Sequence, residues 1–381
     1  MRVDRAYCCD SPFQVFTCIH MELHQHTCSD MYILDAFKDA GRIVEELRKR
    51  GLFRKVVLIG TERVYNKNKS VNKRTLKSSL GTFGTYFDVR EIVEGYIEKD
   101  AVYDEMYFSC NQLSFRLARF YFIKKGYPTR FVMYDEGAGS YDGHFERVKF
   151  TDAFVRRILF GKRAGNSGLD LYLYQPELYF AYEKEKHRLH RICPFDETDK
   201  AYLDDYNAIF NSIAVETAGK HIYFDTLREE VVVTEEALVS MQEWYDMIED
   251  ALGAENILVK PHPRAFRKYP HNAEDFAASD CPMEINYLSM DLDDLGLISL
   301  LSTAAISPKL IYDKEPRVLI LCNVDKNVYK ANEDLLAFYR SVKALYRDPD
   351  RFMIPENMEE LKECLNVIAA DSKRGKGEQN A

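Results

Sequence analysis

The sequence predicts an α/β protein made of two doubly wound, Rossmann-like domains. Three observations carry that expectation. Short apolar runs of strand length alternate with stretches of helical apolar spacing, the pattern of a parallel sheet with both faces covered. The alternation gives way after about residue 195 to an acidic, helical stretch and restarts at His221. Finally, 381 residues are more than one compact core ordinarily holds, so two cores are expected.

In chain order, Arg5 to Cys9 reads as a strand, Asp10-Ser11-Pro12 breaks it, and Phe13 to His24 carries apolar residues at helical spacing. Val56 to Gly60, Met106 to Ser109 and Phe131 to Tyr134 read as further buried strands, with Asn111 to Lys125 helical. The second half opens with the strand His221 to Phe224. Thr234 is a plausible N-cap for a helix reaching about Leu252, and Ile257 to Val259 is a strand that runs into Lys260-Pro261-His262-Pro263. Strands at Leu297 to Leu301 and Val318 to Leu321 follow, then helices at about Glu333 to Tyr346 and Met358 to Ala369. The expected limits are a first domain at 1–195, a helical linker at 196–216, a second domain at 217–345, C-terminal helices at 346–370 and a disordered tail at 371–381.

Charge and composition narrow the function. Fifty-two Lys and Arg against 61 Asp and Glu give a net charge of −9, without the basic stripe that a nucleic-acid binder needs to neutralise phosphates. No apolar run is long enough to cross a bilayer, and the first residues show neither an apolar core nor a small-residue cleavage site. The 9 cysteines lie scattered from Cys8 to Cys364 without paired spacing, so a reducing cytoplasm is the expected location.

Open α/β sheets bind ligands beyond the carboxyl ends of their strands. Four polar clusters occupy such places: Ser11-Pro12-Phe13-Gln14, Asp135-Glu136-Gly137, Lys260-Pro261-His262-Pro263-Arg264 and Ser302-Thr303. Together they resemble the bacterial sialyltransferases, most closely the lipooligosaccharide and capsule sialyltransferases of glycosyltransferase family 52. An acidic-acidic-Gly motif, a His-Pro motif and a paired hydroxyl motif recur there in this order. The opening Cys9-Asp10-Ser11-Pro12-Phe13-Gln14 is similar to that family's Cys-x-(Ser/Thr)-Pro-x-Gln signature. The architecture implied is two facing Rossmann-like domains of the glycosyltransferase-B type.

The resemblance implies inverting transfer of sialic acid from CMP-sialic acid to a galactose-ended surface glycan, through an oxocarbenium-like state. Asp135 then matches the general base that takes the acceptor proton, with capping of its own loop as the alternative. Glu136 orients the loop or the acceptor, and Gly137 lets backbone approach closely. His262 matches the acid or donor to the departing phosphate, flanked by Lys260 and Pro263. Ser302 and Thr303 supply hydroxyls and amides to the same phosphate, unless they form an ordinary N-cap. Glu284, in Pro282-Met283-Glu284, matches a carboxylate that accepts from the ribose hydroxyls. Ser11 and Gln14 line the first-domain side of the cleft, near donor or acceptor, unless they simply cap the helix, and Asp225 and Thr226 sit where backbone contacts to the nucleotide are expected. There the chain departs from the Gly-Gln-Pro-like loop of the family.

A phosphate monoester leaving group carries less charge than a diphosphate, so neither metal nor other cofactor is expected. The partners are a nucleotide sugar and an oligosaccharide acceptor, with no nucleic acid; a homodimer and peripheral contact with the inner membrane surface stay open. Rival readings are a hexosyltransferase or CDP-glycerol-type transferase on the same scaffold, and a non-catalytic glycan- or nucleotide-binding protein. Other features read as structural. His20, His24, His26 and Cys28 match no common zinc spacing. Asp291/Asp293 and Asp348/Asp350 follow no clear strand, and Gly81-Thr82-Phe83-Gly84 lacks a strand-to-helix context. The basic runs Arg48-Lys49-Arg50 and Arg156-Arg157 with Lys162-Arg163 read first as solvated faces, and second as contacts with anionic lipid.

Overall fold

A computed structural model describes residues 2–61, 86–109, 113–141, 150–165, 168–180, 187–225, 234–261, 271–276, 281–329, 331 and 333–378. The chain divides into two compact units, Met1–Phe210 and Asn211–Ala381. Each is a parallel sheet connected by crossovers, so the two doubly wound, Rossmann-like domains expected from the sequence are present.

The first sheet contains β1 (Arg2–Cys9), β2 (Ser29–Leu34), β3 (Lys55–Ile59), β4 (Val102–Phe108), β5 (Arg130–Tyr134), β6 (Asp170–Leu173) and β7 (Arg188–Arg191). Their order is β3-β2-β1-β4-β5-β6-β7, and every pairing is parallel. Strand order reverses beside β1, so the crevice between the ends of β1 and β4 is the topological switch point. Ala6 through Cys9 are buried because this central strand is covered on both faces. Helix α1 (Pro12–Leu23) starts directly after it. Ser11 is its N-cap, accepting from the Gln14 backbone N–H at 3.3 Å, and Pro12 occupies a first-turn position where a missing N–H costs nothing.

The second sheet contains β8 (His221–Asp225), β9 (Ile257–Pro261), β10 (Glu274–Asp275), β11 (Gly296–Ser299), β12 (Arg317–Ile320) and β13 (Phe352–Met353), ordered β10-β9-β8-β11-β12-β13. It too is parallel throughout and reverses order beside its first strand, between β8 and β11. The long helix Glu235–Leu252 is capped by Thr234, whose hydroxyl accepts from the Ala237 N–H at 3.1 Å, as its sequence position suggested. It buries Trp244, Tyr245 and Ile248 on one face.

The segment expected as a linker at 196–216 is built differently. Helices Glu197–Ala201 and Leu203–Phe210 belong to the first unit, where Tyr206 packs on Phe16 with ring centroids 5.4 Å apart and Arg50 pairs with Asp205 at 2.8 Å. The first domain therefore runs past residue 195. The region expected to hold only terminal helices contributes β13, which pairs with β12, so it is part of the second core. The terminal helix spans Met358–Glu378, so the backbone from Asp371 to Glu378 is helical where a disordered tail was expected. Among the described residues, no helix is long and apolar enough to cross a membrane.

Candidate functional site

In the first unit, the loops leaving β1 and β5 meet at the carboxyl edge of the sheet. Gln14 is buried in the first turn of α1 and works in two directions. Its Oε1 accepts from the Asp10 N–H at 2.7 Å, which holds the β1 exit, while its Nε2 donates to Glu136 Oε2 at 3.4 Å. The Glu136 N–H donates to the Ser140 hydroxyl at 2.8 Å. Four of the expected cleft residues, Ser11, Gln14, Glu136 and Gly137, are thus brought together by the two loops.

Asp135 faces inward. It is 1% exposed, its Oδ1 accepts from the Gly137 N–H at 2.8 Å, and its Oδ2 accepts from the Tyr141 hydroxyl at 2.6 Å and the Tyr174 N–H at 3.2 Å. Burial pushes its carboxyl up to about 6, with the three donors pulling the other way. The Tyr141 hydroxyl also accepts from the Gln175 N–H at 3.3 Å, tying the loop to the exit of β6. Gly137 adopts φ 110° and ψ −158°, a conformation closed to side-chain-bearing residues, which turns its N–H back onto Asp135. Glu136, the next residue to Asp135, is only half-buried, so of the two acids it is the one solvent reaches. Tyr141 and Tyr174 carry no motif and went unnoticed in the sequence.

In the second unit, register places Asp225 opposite Pro261 and Phe224 opposite both Lys260 and Ser299, so the ends of β9, β8 and β11 form one edge. Asp225 is buried there. Lys260 is buried as well, with Nζ donating to the Cys281 carbonyl at 3.3 Å and lying 5.3 Å from the Phe276 ring centre. Glu284, on the short helix Met283–Tyr287, is buried. That raises its carboxyl above the ordinary range against the pull of the Ser307 hydroxyl and the Lys260 charge. Ser302 caps a single turn, its hydroxyl accepting from the Ala304 N–H at 3.3 Å while its own N–H donates to the Ser299 hydroxyl at 2.7 Å. This is the capping alternative, and Thr303 is the first residue of that turn. His262, Pro263 and Thr226 lie outside the described residues.

The remaining features separate from these edges. Asp293, Asp294, Asp348 and Asp350 line a depression of about 350 Å³ with Arg317 and Arg351. These residues precede or open β11, β12 and β13, so the acidic pairs sit at the amino ends, opposite the ligand-binding edge. His20 and His24 lie one turn apart on α1 and both reach the buried Asp199, at 2.6 and 2.8 Å. Although Cys193, Asp196 and Asp199 bring further ligand-type atoms close by, His20 uses both ring nitrogens, the second on the Cys193 carbonyl at 2.8 Å. Burial opposes its charge, but the Asp199 contact and the Cys193 contact prevail and lift it to about 10. The cluster is therefore a buried ion pair joining α1 to the segment after β7.

No protein-family model matches the chain, and no characterised protein sequence matches it. Several solved structures align with it along most of its length at low identity. UDP-GlcNAc 2-epimerase from Methanocaldococcus jannaschii is 12% identical over 97% of this chain and 100% of that one, with a TM-score of 0.42. The wall teichoic acid polymerase TagF is 11% identical over 99% and 90%, with a TM-score of 0.43. A UDP-forming trehalose-phosphate synthase from Burkholderia vietnamiensis is 10% identical over 98% and 99%, with a TM-score of 0.40.

Proposed function

We propose that the chain is a nucleotide-sugar-dependent glycosyltransferase of the glycosyltransferase-B type, and that its reaction is inverting transfer of sialic acid from CMP-sialic acid to a galactose-ended surface glycan. The observation that carries this reading is the meeting of the Cys9-to-Gln14 segment and the Asp135-Glu136-Gly137 loop through the Gln14–Glu136 hydrogen bond, at the carboxyl edge of a doubly wound sheet.

The two acids of that loop divide the work. Glu136 takes the proton from the acceptor hydroxyl as its oxygen bonds to the anomeric carbon. The bond from that carbon to the CMP phosphate oxygen breaks at the same time, and CMP leaves with the electron pair. Asp135 is the positioning residue: its carboxylate gathers Gly137, Tyr141 and Tyr174 and so sets the direction in which Glu136 points. On the second unit, His262 and Lys260 meet the developing phosphate charge, and Glu284 receives the ribose hydroxyls. No metal is needed in this scheme.

Thermal shift with CMP, CDP and UDP, followed by transfer assays of Glu136→Gln, tests the proposal. CMP alone should stabilise the protein, and Glu136→Gln should bind CMP normally while transfer falls by about a hundredfold or more. Stabilisation by UDP or CDP instead would favour a hexosyl- or glycerophosphotransferase, and CMP binding without turnover in the unmodified protein would make it a binding protein.

A further inference from the structure

We infer that the helix Phe150–Phe160, together with the turn that follows it, is a docking surface for an anionic phospholipid membrane. This helix turns its apolar residues in two directions. Phe160 faces inward, stacked on Phe120 at 4.3 Å between ring centres, and the Arg156 guanidinium is buried 5.9 Å from the same ring. Phe154 and Ile158 face outward and are 56% and 66% exposed. They are four residues apart and so lie one above the other on a single helical face. Phe87, 71% exposed, follows Tyr86, whose ring packs edge-on against Phe160 at 5.8 Å. A water-soluble surface gains nothing from large apolar side chains held this open, and grouped ones mark a contact.

Charge identifies the partner. The chain as a whole carries −9, yet from Ala153 to Leu169 it holds four basic residues, Arg156, Arg157, Lys162 and Arg163, and no acidic one. Arg157 is exposed on the same helix as Phe154 and Ile158. Gly161, at φ 74°, stops the helix and leads into the turn Lys162–Ala164, where Lys162 and Arg163 are exposed. Among the described residues, Arg157 and Lys162 enter no ion pair. Apolar side chains flanked by long basic ones match the interface of an anionic bilayer, where the rings and branched chain enter the acyl boundary and the basic heads stay at the phosphates. A second copy of the chain fits less well, because a two-fold contact through this face would bring one basic patch up against an equally basic one.

Vesicle flotation of the full chain tests this, using phosphatidylcholine vesicles with and without phosphatidylglycerol. The assay reads lipid binding rather than transfer, so it stands apart from the reaction proposed above. The protein should float only with phosphatidylglycerol and be released by salt. Arg157→Glu with Lys162→Glu should weaken binding by about thirty-fold or more, and Phe154→Glu with Ile158→Glu should abolish it, both with unchanged melting because the side chains are exposed. Phe154→Trp should shift its added emission to the blue on the same vesicles. Flotation that ignores phosphatidylglycerol, that is absent, or that survives both double substitutions would overturn the inference. So would a wild-type dimer that floats on no vesicle and that Phe154→Glu with Ile158→Glu converts to monomer.

Discussion

Asp135→Asn should give a stability deficit that shrinks as pH rises, and the structure fixes the direction. The carboxyl ionises at about 6 in the folded chain against 3.8 as the ordinary value. A raised carboxyl holds its proton more tightly when folded, so its contribution to stability is fully present below 3.8 and is lost as pH rises through about 6. From those two values the loss is about 2 kcal/mol at pH 5 and about 3 kcal/mol at pH 7.5, a change on the order of 1 kcal/mol. Asparagine does not titrate and escapes this change. It has its own penalty at every pH, about 1–3 kcal/mol, because an amide nitrogen cannot accept from Gly137 or Tyr174. Urea unfolding followed by circular dichroism at both pH values measures the difference. Fluorescence would not serve, since the single Trp244 lies in the second unit. A deficit that grows with pH would refute the reasoning: the three donors would then outweigh burial, and the folded carboxyl would ionise below the unfolded one.

Replacing His20 with Leu strands the buried Asp199 with His24 and should destabilise the first unit by about 3–5 kcal/mol, read by thermal melting. In the unmodified chain the His20 contribution, with its ionisation raised to about 10, is fully present below the ordinary 6.5 and is lost progressively as pH rises from there through about 10, so the melting temperature should fall more between pH 6.5 and 8 in the unmodified chain than in His20→Leu; the same fall in both would contradict it. Thr234→Ala removes one cap and should lower stability by about 1 kcal/mol in denaturant titration, with transfer activity kept. His262→Ala should lower turnover by about a hundredfold or more while the fold melts normally, and transfer should persist in excess EDTA.

What was legible in the sequence follows burial. β1 and β8 are apolar and central, and their positions were visible from Arg5–Cys9 and His221–Phe224 alone. β7 was not, because Arg188–Arg191 is an edge strand whose two end residues are exposed and whose middle two are only half-buried, and a strand reading Arg-Leu-His-Arg has no apolar signature. β2 and β6 were missed as well, the first behind a polar, histidine-rich turn and the second through its length of four residues. The ion pair of His20 with Asp199 spans 179 positions, and only the fold brings its halves together.

The acidic-acidic-Gly loop shows the same limit at the scale of single atoms. Sequence places two carboxylates at a strand exit and cannot say which one faces the ligand. Their orientations depend on Tyr174, 39 positions downstream, whose N–H draws Asp135 inward, and on Gln14, 122 positions upstream, whose amide meets Glu136 at the edge. Gly137 links the two: its left-handed backbone is what brings its N–H back to Asp135 at 2.8 Å, and with that bond made the chain leaves Glu136 on the solvent side. A short motif of this kind encodes a division between a carboxylate that builds the loop and one that the loop presents. The first acid is constrained by packing and the second by chemistry, which is why Asp135→Asn is expected to register in stability and Glu136→Gln in rate.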